Sequence, residues 1–318
     1  MKIGKSMARM RQPATLVQEQ IGTRARHRIA TDRIEGELAV ISRLPGALAR
    51  AALVVLMIVT PTAMLPVVGA DDVQVVVLVA FFAAIFTLVE YSAKSPSLVE
   101  FRSAPPFNRL RFGALFLTVL ALSVVFRDPE QASTLTRLFQ LVGNRIGASI
   151  DFPYSPVRLM ILAMPDGMTT LELSRLRTAA GLSYLISLCS LAAFVMLLRW
   201  RGWPHRAGVF NVWINLPTFD PTVAGDVVAR LNRDSQINLI LGFLLPFVVP
   251  AVLKLTALFI DPFTLSEPQT LIWTVAAWAF LPASLLMRGI ALNRVAQMIH
   301  VQRKRAYEQA AAAGLLPI

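Results

Sequence analysis

Within the apolar stretches of this sequence few residues could do chemistry, and their spacing narrows what they could do. Lys254 is the one charged side chain inside them, and an ionisable group within a bilayer is costly enough to mark an ion or substrate path by default. At 1.5 Å per residue it lies about 28 Å along its helix from Ser235. That is near the outer boundary, where an ammonium on a long stem can snorkel out of the hydrocarbon instead. Gly242, Pro246 and Pro250 share the same run at intervals of four, so they fall on one helix face, and each proline removes a backbone hydrogen bond. The result is a bent helix that either exposes carbonyls to a transported solute or is simply a static kink. Ser183, Ser187 and Ser190, with Ala179, form a stripe on the preceding run. Such a stripe allows close helix contact with hydroxyl bonds between helices, or lines a pore.

Elsewhere the chemistry is sparse. His27, His205 and His300 lie outside the apolar runs and far apart in sequence, which excludes a haem held by histidines within the bilayer. No phosphate-cradling glycine loop, paired-histidine metal motif or nucleophile elbow is present. The single cysteine, Cys189, excludes an internal disulfide or a cysteine metal cluster and reads as a small, inert, buried side chain. The segment Asp226, Val227, Val228, Ala229, Arg230 superficially resembles the start of the CDP-alcohol phosphotransferase motif. That motif needs a glycine where Val227 stands, a nearer preceding aspartate than Asp220, and two more aspartates on the following helix, so the resemblance stops at five residues and membership is rejected. Membrane enzymes need several polar groups converging at one depth, and the spans offer almost none. The expectation is no enzymatic activity, no cofactor and no metal.

The elements that would position these residues are transmembrane helices. With 318 residues, 55% hydrophobic and 16% charged, the chain has too few charges to cover a soluble domain of that length, where about a quarter of residues are charged. Its apolar residues gather into six runs: 51–70, 73–89, 112–126, 178–198, 235–260 and 268–287. Crossing a hydrocarbon core takes roughly 17 to 25 helical residues, so the third run, flanked by Arg111 and Arg127, needs snorkelling arginines or extra turns. Asp71 and Asp72 between the first two runs predict a tight helical hairpin. The predicted fold is an all-α polytopic bundle with six spans, an amphipathic amino-terminal helix and an extracytoplasmic interfacial helix.

Five segments follow: 1–50, 51–126, 127–177, 178–287 with the loop 199–234, and 288–318. Residues 14–44 read as a basic amphipathic helix, with Val17, Ile21, Ile34, Leu38 and Ile41 at helical intervals, lying on anionic lipid or docking a partner. In segment 127–177, Leu135, Leu138, Phe139, Val142 and Ile146 make one apolar stripe, followed by a run at 159–164 too short to span. Trp200, Trp203, Phe210, Trp213 and Phe219 predict that part of the 199–234 loop sits at the membrane interface. Asp220 and Pro221 suit a cap and first turn, predicting a helix from Pro221 into the fifth span. The sixth span should continue as a helical tail ending near Gly314.

Of the 31 Lys and Arg residues, 24 fall in segments on one side of the spans and 6 in the 127–177 segment. Basic segments resist translocation, which predicts cytoplasmic termini, with the abundance of arginine over lysine hinting at a bacterial inner membrane. The net charge of +12 and pI near 10.9 are thereby explained without nucleic acid. Arg24, Arg26, Arg28, Arg201 and Arg206 are the candidate contacts to anionic lipid or interface. No removable signal peptide is recognisable, and the first run reads as an uncleaved anchor. The function expected is non-catalytic: a membrane protein that binds other membrane or cytoplasmic proteins as an assembly, scaffold or accessory subunit. The alternative, a small-molecule transporter or channel subunit, would gather Lys254, the Gly242 to Pro250 bend and the serine stripe around one cavity.

Overall fold

The structure is a computed structural model and describes residues 42–65, 69–102, 104–127, 133–164, 167–204, 212–220, 225–256 and 267–314. All regular structure among them is helical: α1 (Ser42–Met64), α2 (Ala70–Ser92), α3 (Pro105–Val125), α4 (Thr134–Ile150), α5 (Pro156–Leu162), α6 (Thr170–Arg201), α7 (Val212–Asn215), α8 (Val227–Thr256) and α9 (Pro268–Ala312). Six of them, α1, α2, α3, α6, α8 and α9, are long and apolar enough to cross a membrane. The amphipathic helix expected within 14–44 lies almost entirely outside the described residues.

Helix limits follow capping chemistry rather than the edges of apolar runs. The third run gains its missing length at its amino end, where Pro105 and Pro106 occupy the first turn and bring Asn108, Arg109 and Arg111 into the helix. Proline is tolerated there because the first amide protons have no intrahelical partner. α6 starts eight residues before its apolar run because Thr169 and Glu172 form a reciprocal capping box, which satisfies two orphan amides. It stops at Gly202, whose φ of 58° costs a glycine little. The helix expected from Pro221 begins instead at Val227: Gly225 has φ 111°, outside any right-handed helix, and the Asp226 carboxylate accepts from the amides of Val228 and Ala229. Asp226, not Asp220, is the cap.

Two apolar clusters fill the bundle. One, towards the end bearing residues 127–169, joins α3, α5, α6 and α9 around Leu122, Met160, Leu176, Ile272 and Trp278. The other lies towards the opposite end, which holds most of the basic residues and is called the basic end below. It joins Phe101, Phe107, Phe194, Trp203, Leu231 and Leu292. Trp203 and Phe219, two of the aromatic residues of the 199–234 loop, are buried in this second cluster. Trp200 is 74% exposed.

The closest helix contacts are made by small residues. α4 presses on α6 where a Cβ on Gly181 would lie 2.4 Å from Gly147 Cα, and one on Gly147 would lie 2.6 Å from the Arg177 carbonyl. The apolar stripe of α4 therefore faces away from the bundle. Leu138, Phe139 and Val142 are exposed, while Thr136, Gly143 and Gly147 are buried. Lipid tails are as apolar as leucine, so burial there selects surfaces that permit close approach rather than the most hydrophobic face. The most extensive pairing is the antiparallel α8–α9 hairpin, whereas α2 packs against none of α3 to α9 among the described residues.

Candidate functional site

At the basic end the chain assembles a set of charged and polar groups, and it begins with Glu90 in the last turns of α2. The buried Glu90 carboxylate accepts the amides of Ser97, Leu98 and Val99 at 3.1–3.2 Å and the Ser97 hydroxyl. Four donors on one carboxylate offset its loss of hydration. The same loop is clamped by Arg102, which donates to the carbonyls of Glu90 and Ala93 at 2.8 Å and of Lys94 at 3.1 Å. Those carbonyls are orphans of the α2 terminus, where a cation is favoured. Residues 93–102 are thereby held in one path that delivers Glu100 to the bundle.

Glu100 meets Arg288 of α9 in a two-bond fork, with Nε to Oε2 at 2.6 Å and Nη2 to Oε1 at 2.7 Å. Thr218 adds its hydroxyl to Oε1 at 3.0 Å. The Arg288 guanidinium side chain is 29% exposed and the Glu100 side chain 12%, so this pair is shielded from water on most sides. One turn away on α9, Ser284 hydrogen-bonds to Arg111 of α3. The Arg111 guanidinium also lies 5.0 Å from the Phe107 ring centroid and 6.0 Å from that of Phe280, a cation–π arrangement. This network joins the 93–102 loop, α3, α9 and the 212–220 segment. Of its groups, only Arg111, as a flank of the third run, entered the expectations drawn from sequence. A usable signal existed: Glu90 and Arg288 each sit at the edge of an apolar run, where a charge needs a partner.

Beside this network lies a cleft of about 380 Å³ among α1, α2 and α3, lined by Gly46, Arg50, Leu53, Tyr91, Arg109 and Phe112 among others. Arg50 stands 4.7 Å over the Tyr91 ring and donates to the Gly46 carbonyl at 2.6 Å. Arg109 is exposed.

The residues singled out in the sequence are placed apart. Gly242, Pro246 and Pro250 are all buried on the face of α8 that meets α9: a Cβ on Gly242 would lie 2.8 Å from the Pro282 carbonyl and 2.7 Å from Leu286 Cγ. Pro250 has no amide proton to offer the Pro246 carbonyl, and the Trp278 indole supplies the missing donor at 3.0 Å. The bend is therefore filled by a tryptophan of the next helix. Ser183, Ser187 and Ser190 are buried, but the hydroxyls of Ser183 and Ser190 bond to carbonyls of their own helix, Ala180 and Ser187. That corrects the expected bonds between helices, since a serine in a helix reaches the carbonyl of its preceding turn more easily than a neighbour. α6 and α8 do not touch among the described residues, so the serine stripe and the bend do not share a wall. Lys254 is exposed in the last turn of α8. Cys189 is exposed too, against expectation, because it lies off the buried stripe of Ser183, Ser187 and Ser190. Arg201 is exposed at the end of α6, while Arg24, Arg26, Arg28 and Arg206 lie outside the described residues.

At the basic end α9 runs on past the second cluster. Every residue from Gln302 to Gln309 is exposed, and among the described residues one side-chain tie returns to the bundle, from Arg303 Nη1 to Asp226 Oδ1 at 2.6 Å. That hydrogen bond holds the Asp226 carboxyl below its ordinary range. Among the described residues no group of His, Cys, Asp or Glu is arranged to hold a metal ion. No protein-family model, curated protein or solved structure matches this chain, so functional inference rests on its own residues.

Proposed function

We propose that this chain is a non-catalytic bacterial inner-membrane protein that acts by holding other proteins at its basic, cytoplasmic end, as an assembly, scaffold or accessory subunit. The observation that carries this reading is the length of α9. Its 45 residues extend about 67 Å, whereas about 20 residues suffice to cross a bilayer. The surplus leaves the basic end as a single helix with all faces exposed from Gln302 to Gln309. A lone polar helix has no core of its own, and its ordinary uses are bridging or docking. Tyr307, 65% exposed among Arg303, Lys304 and Arg305, is the kind of aromatic and arginine-rich surface that anchors protein interfaces.

Cytoplasmic termini follow from the 24 basic residues on that side of the spans. Reporter fusions at residues 150 and 215 should fall on opposite sides of the membrane, with residue 150 outside. The function itself is tested in cells by a photo-crosslinking amino acid at Tyr307, with Val77 on the exposed surface of α2 as reference. A discrete protein adduct is expected at 307 and none at 77. The same adduct at both positions, or none at any exposed position from 302 to 309, would overturn the proposal.

A further inference from the structure

We infer that the cleft among α1, α2 and α3 is a binding site for one anionic phospholipid, with the phosphate at Arg50 and Arg109 and an acyl chain along Leu53 and Phe112. Its volume of about 380 Å³ falls in the range of small-ligand sites, which is larger than helix packing leaves by accident. The cleft is also amphipathic in one direction. Arg50, Tyr91, Asn108 and Arg109 stand towards the ends of their helices at the basic end, while Leu53, Val54 and Phe112 line it deeper along α1 and α3.

The charge is one-sided. Among the described residues no carboxylate lines the cleft, and two acids of the neighbouring network are engaged elsewhere: Glu90 is saturated by the 97–99 amides, and Glu100 is held by Arg288 and Thr218. Among the described residues Arg109 makes no hydrogen bond or ion pair, and the Arg50 guanidinium meets a carbonyl and the Tyr91 face. Most of its donors remain available. A planar guanidinium carries five donors matched to phosphate oxygens, and basic pockets between helices on the cytoplasmic side suit anionic headgroups. Packing leaves the cleft reachable from the bilayer, because α2, which forms one wall, is not drawn against α3.

The proposal is tested on the full chain in nanodiscs of mixed phosphatidylglycerol and phosphatidylcholine, with a photo-crosslinking residue at Leu53 and mass analysis of its adducts. Phosphatidylglycerol should be enriched at Leu53 over its share at Val77, which samples bulk lipid. Arg50→Gln with Arg109→Gln should cut that enrichment about 30-fold, the effect of two interfacial arginines on an anionic lipid. Arg233→Gln, on α8 outside the cleft, should leave it unchanged. Enrichment that persists in the double variant would overturn the inference, as would adducts to residues 1–41 of the chain itself or to another protein. Inorganic phosphate at millimolar concentration should not displace the lipid; if it does so fully, the site holds a free anion and the lipid assignment fails. Should Leu53 photochemistry perturb the fold, native mass spectrometry of the chain without the photo-crosslinker replaces it: phosphatidylglycerol should stay bound to the natural sequence and be lost from the double variant, and equal retention by both would overturn the inference.

Discussion

The α8–α9 hairpin and the α1–α2 hairpin are each built from consecutive apolar helices, yet they pack in opposite ways. Along α8, Ser235, Gly242, Pro246 and Pro250 make a buried stripe, and α9 answers with Gly289, Pro282 and Trp278. The helices are joined by Ser235 Oγ to the Gly289 carbonyl at 2.8 Å and by the Trp278 indole to the Pro246 carbonyl at 3.0 Å. α2 instead presents valine, leucine and phenylalanine around most of its circumference, with Val75, Val77, Phe81, Phe82 and Val89 each more than half exposed. Apolar residues alone do not bring helices together in a solvent of hydrocarbon; small residues and satisfied polar groups do.

The largest effect should come from filling a close approach. Gly242→Leu or Gly181→Leu should destabilise the bundle by about 3 kcal/mol or more, at the upper end of what overpacking costs, because the atoms met within 3 Å include backbone. Val77→Leu on α2, where the side chain is 59% exposed, should change stability by less than about 0.5 kcal/mol. Denaturation midpoints in mild detergent measure both, and equal effects at residues 77 and 242 would erase the contrast between the hairpins.

A middle effect is expected at the polar network of the basic end. Glu100→Gln leaves the Arg288 guanidinium without its counter-charge at a site mostly shielded from water. Breaking a fully buried pair costs about 3–5 kcal/mol, and discounting for the partial exposure of Arg288 gives about 2 kcal/mol. Glu100→Gln combined with Arg288→Met should recover most of that loss. A double variant no better than the single one would show that the pair does more than neutralise itself.

The smallest effect belongs to the tie between the α9 extension and the bundle. The Asp226 and Arg303 side chains are 51% and 47% exposed, so breaking their bond should leave the denaturation midpoint unchanged while freeing the extension. The Asp226 carboxyl is held below the ordinary value of 3.8, chiefly by the Arg303 hydrogen bond. The contribution is therefore complete above that value and is lost only as pH falls through the lower folded-state value. A spin label at Tyr307 should keep its neutral-pH mobility down to about pH 4 and loosen below it, whereas Asp226→Asn should be loose throughout. Loosening near pH 6 would assign the restraint to another group.

Much of this was legible without coordinates. Six apolar runs became six long helices, whereas the proline pair at 105–106, the Thr169 to Glu172 capping box and Gly202 set boundaries that the apolar runs did not mark. The readings that failed concern single side chains and caps: the hydroxyls of Ser183 and Ser190 bond within α6, Cys189 is exposed, and the fifth long helix is capped by Asp226 and not by Asp220. The basic-end network was missed because its members, Glu100, Arg111, Ser284 and Arg288, are separated by up to 188 residues and meet only after α3 and α9 have packed.

The number of long apolar helices, the concentration of basic residues on one side of them and the scarcity of reactive groups within the spans were determined by the sequence alone, since each depends on composition summed along a run. Which face of each helix is buried was decided only by the tertiary structure. Where lipid and protein interior are equally apolar, hydrophobicity does not distinguish inside from outside, and the choice falls to steric fit between glycines and to single hydrogen bonds across distant segments.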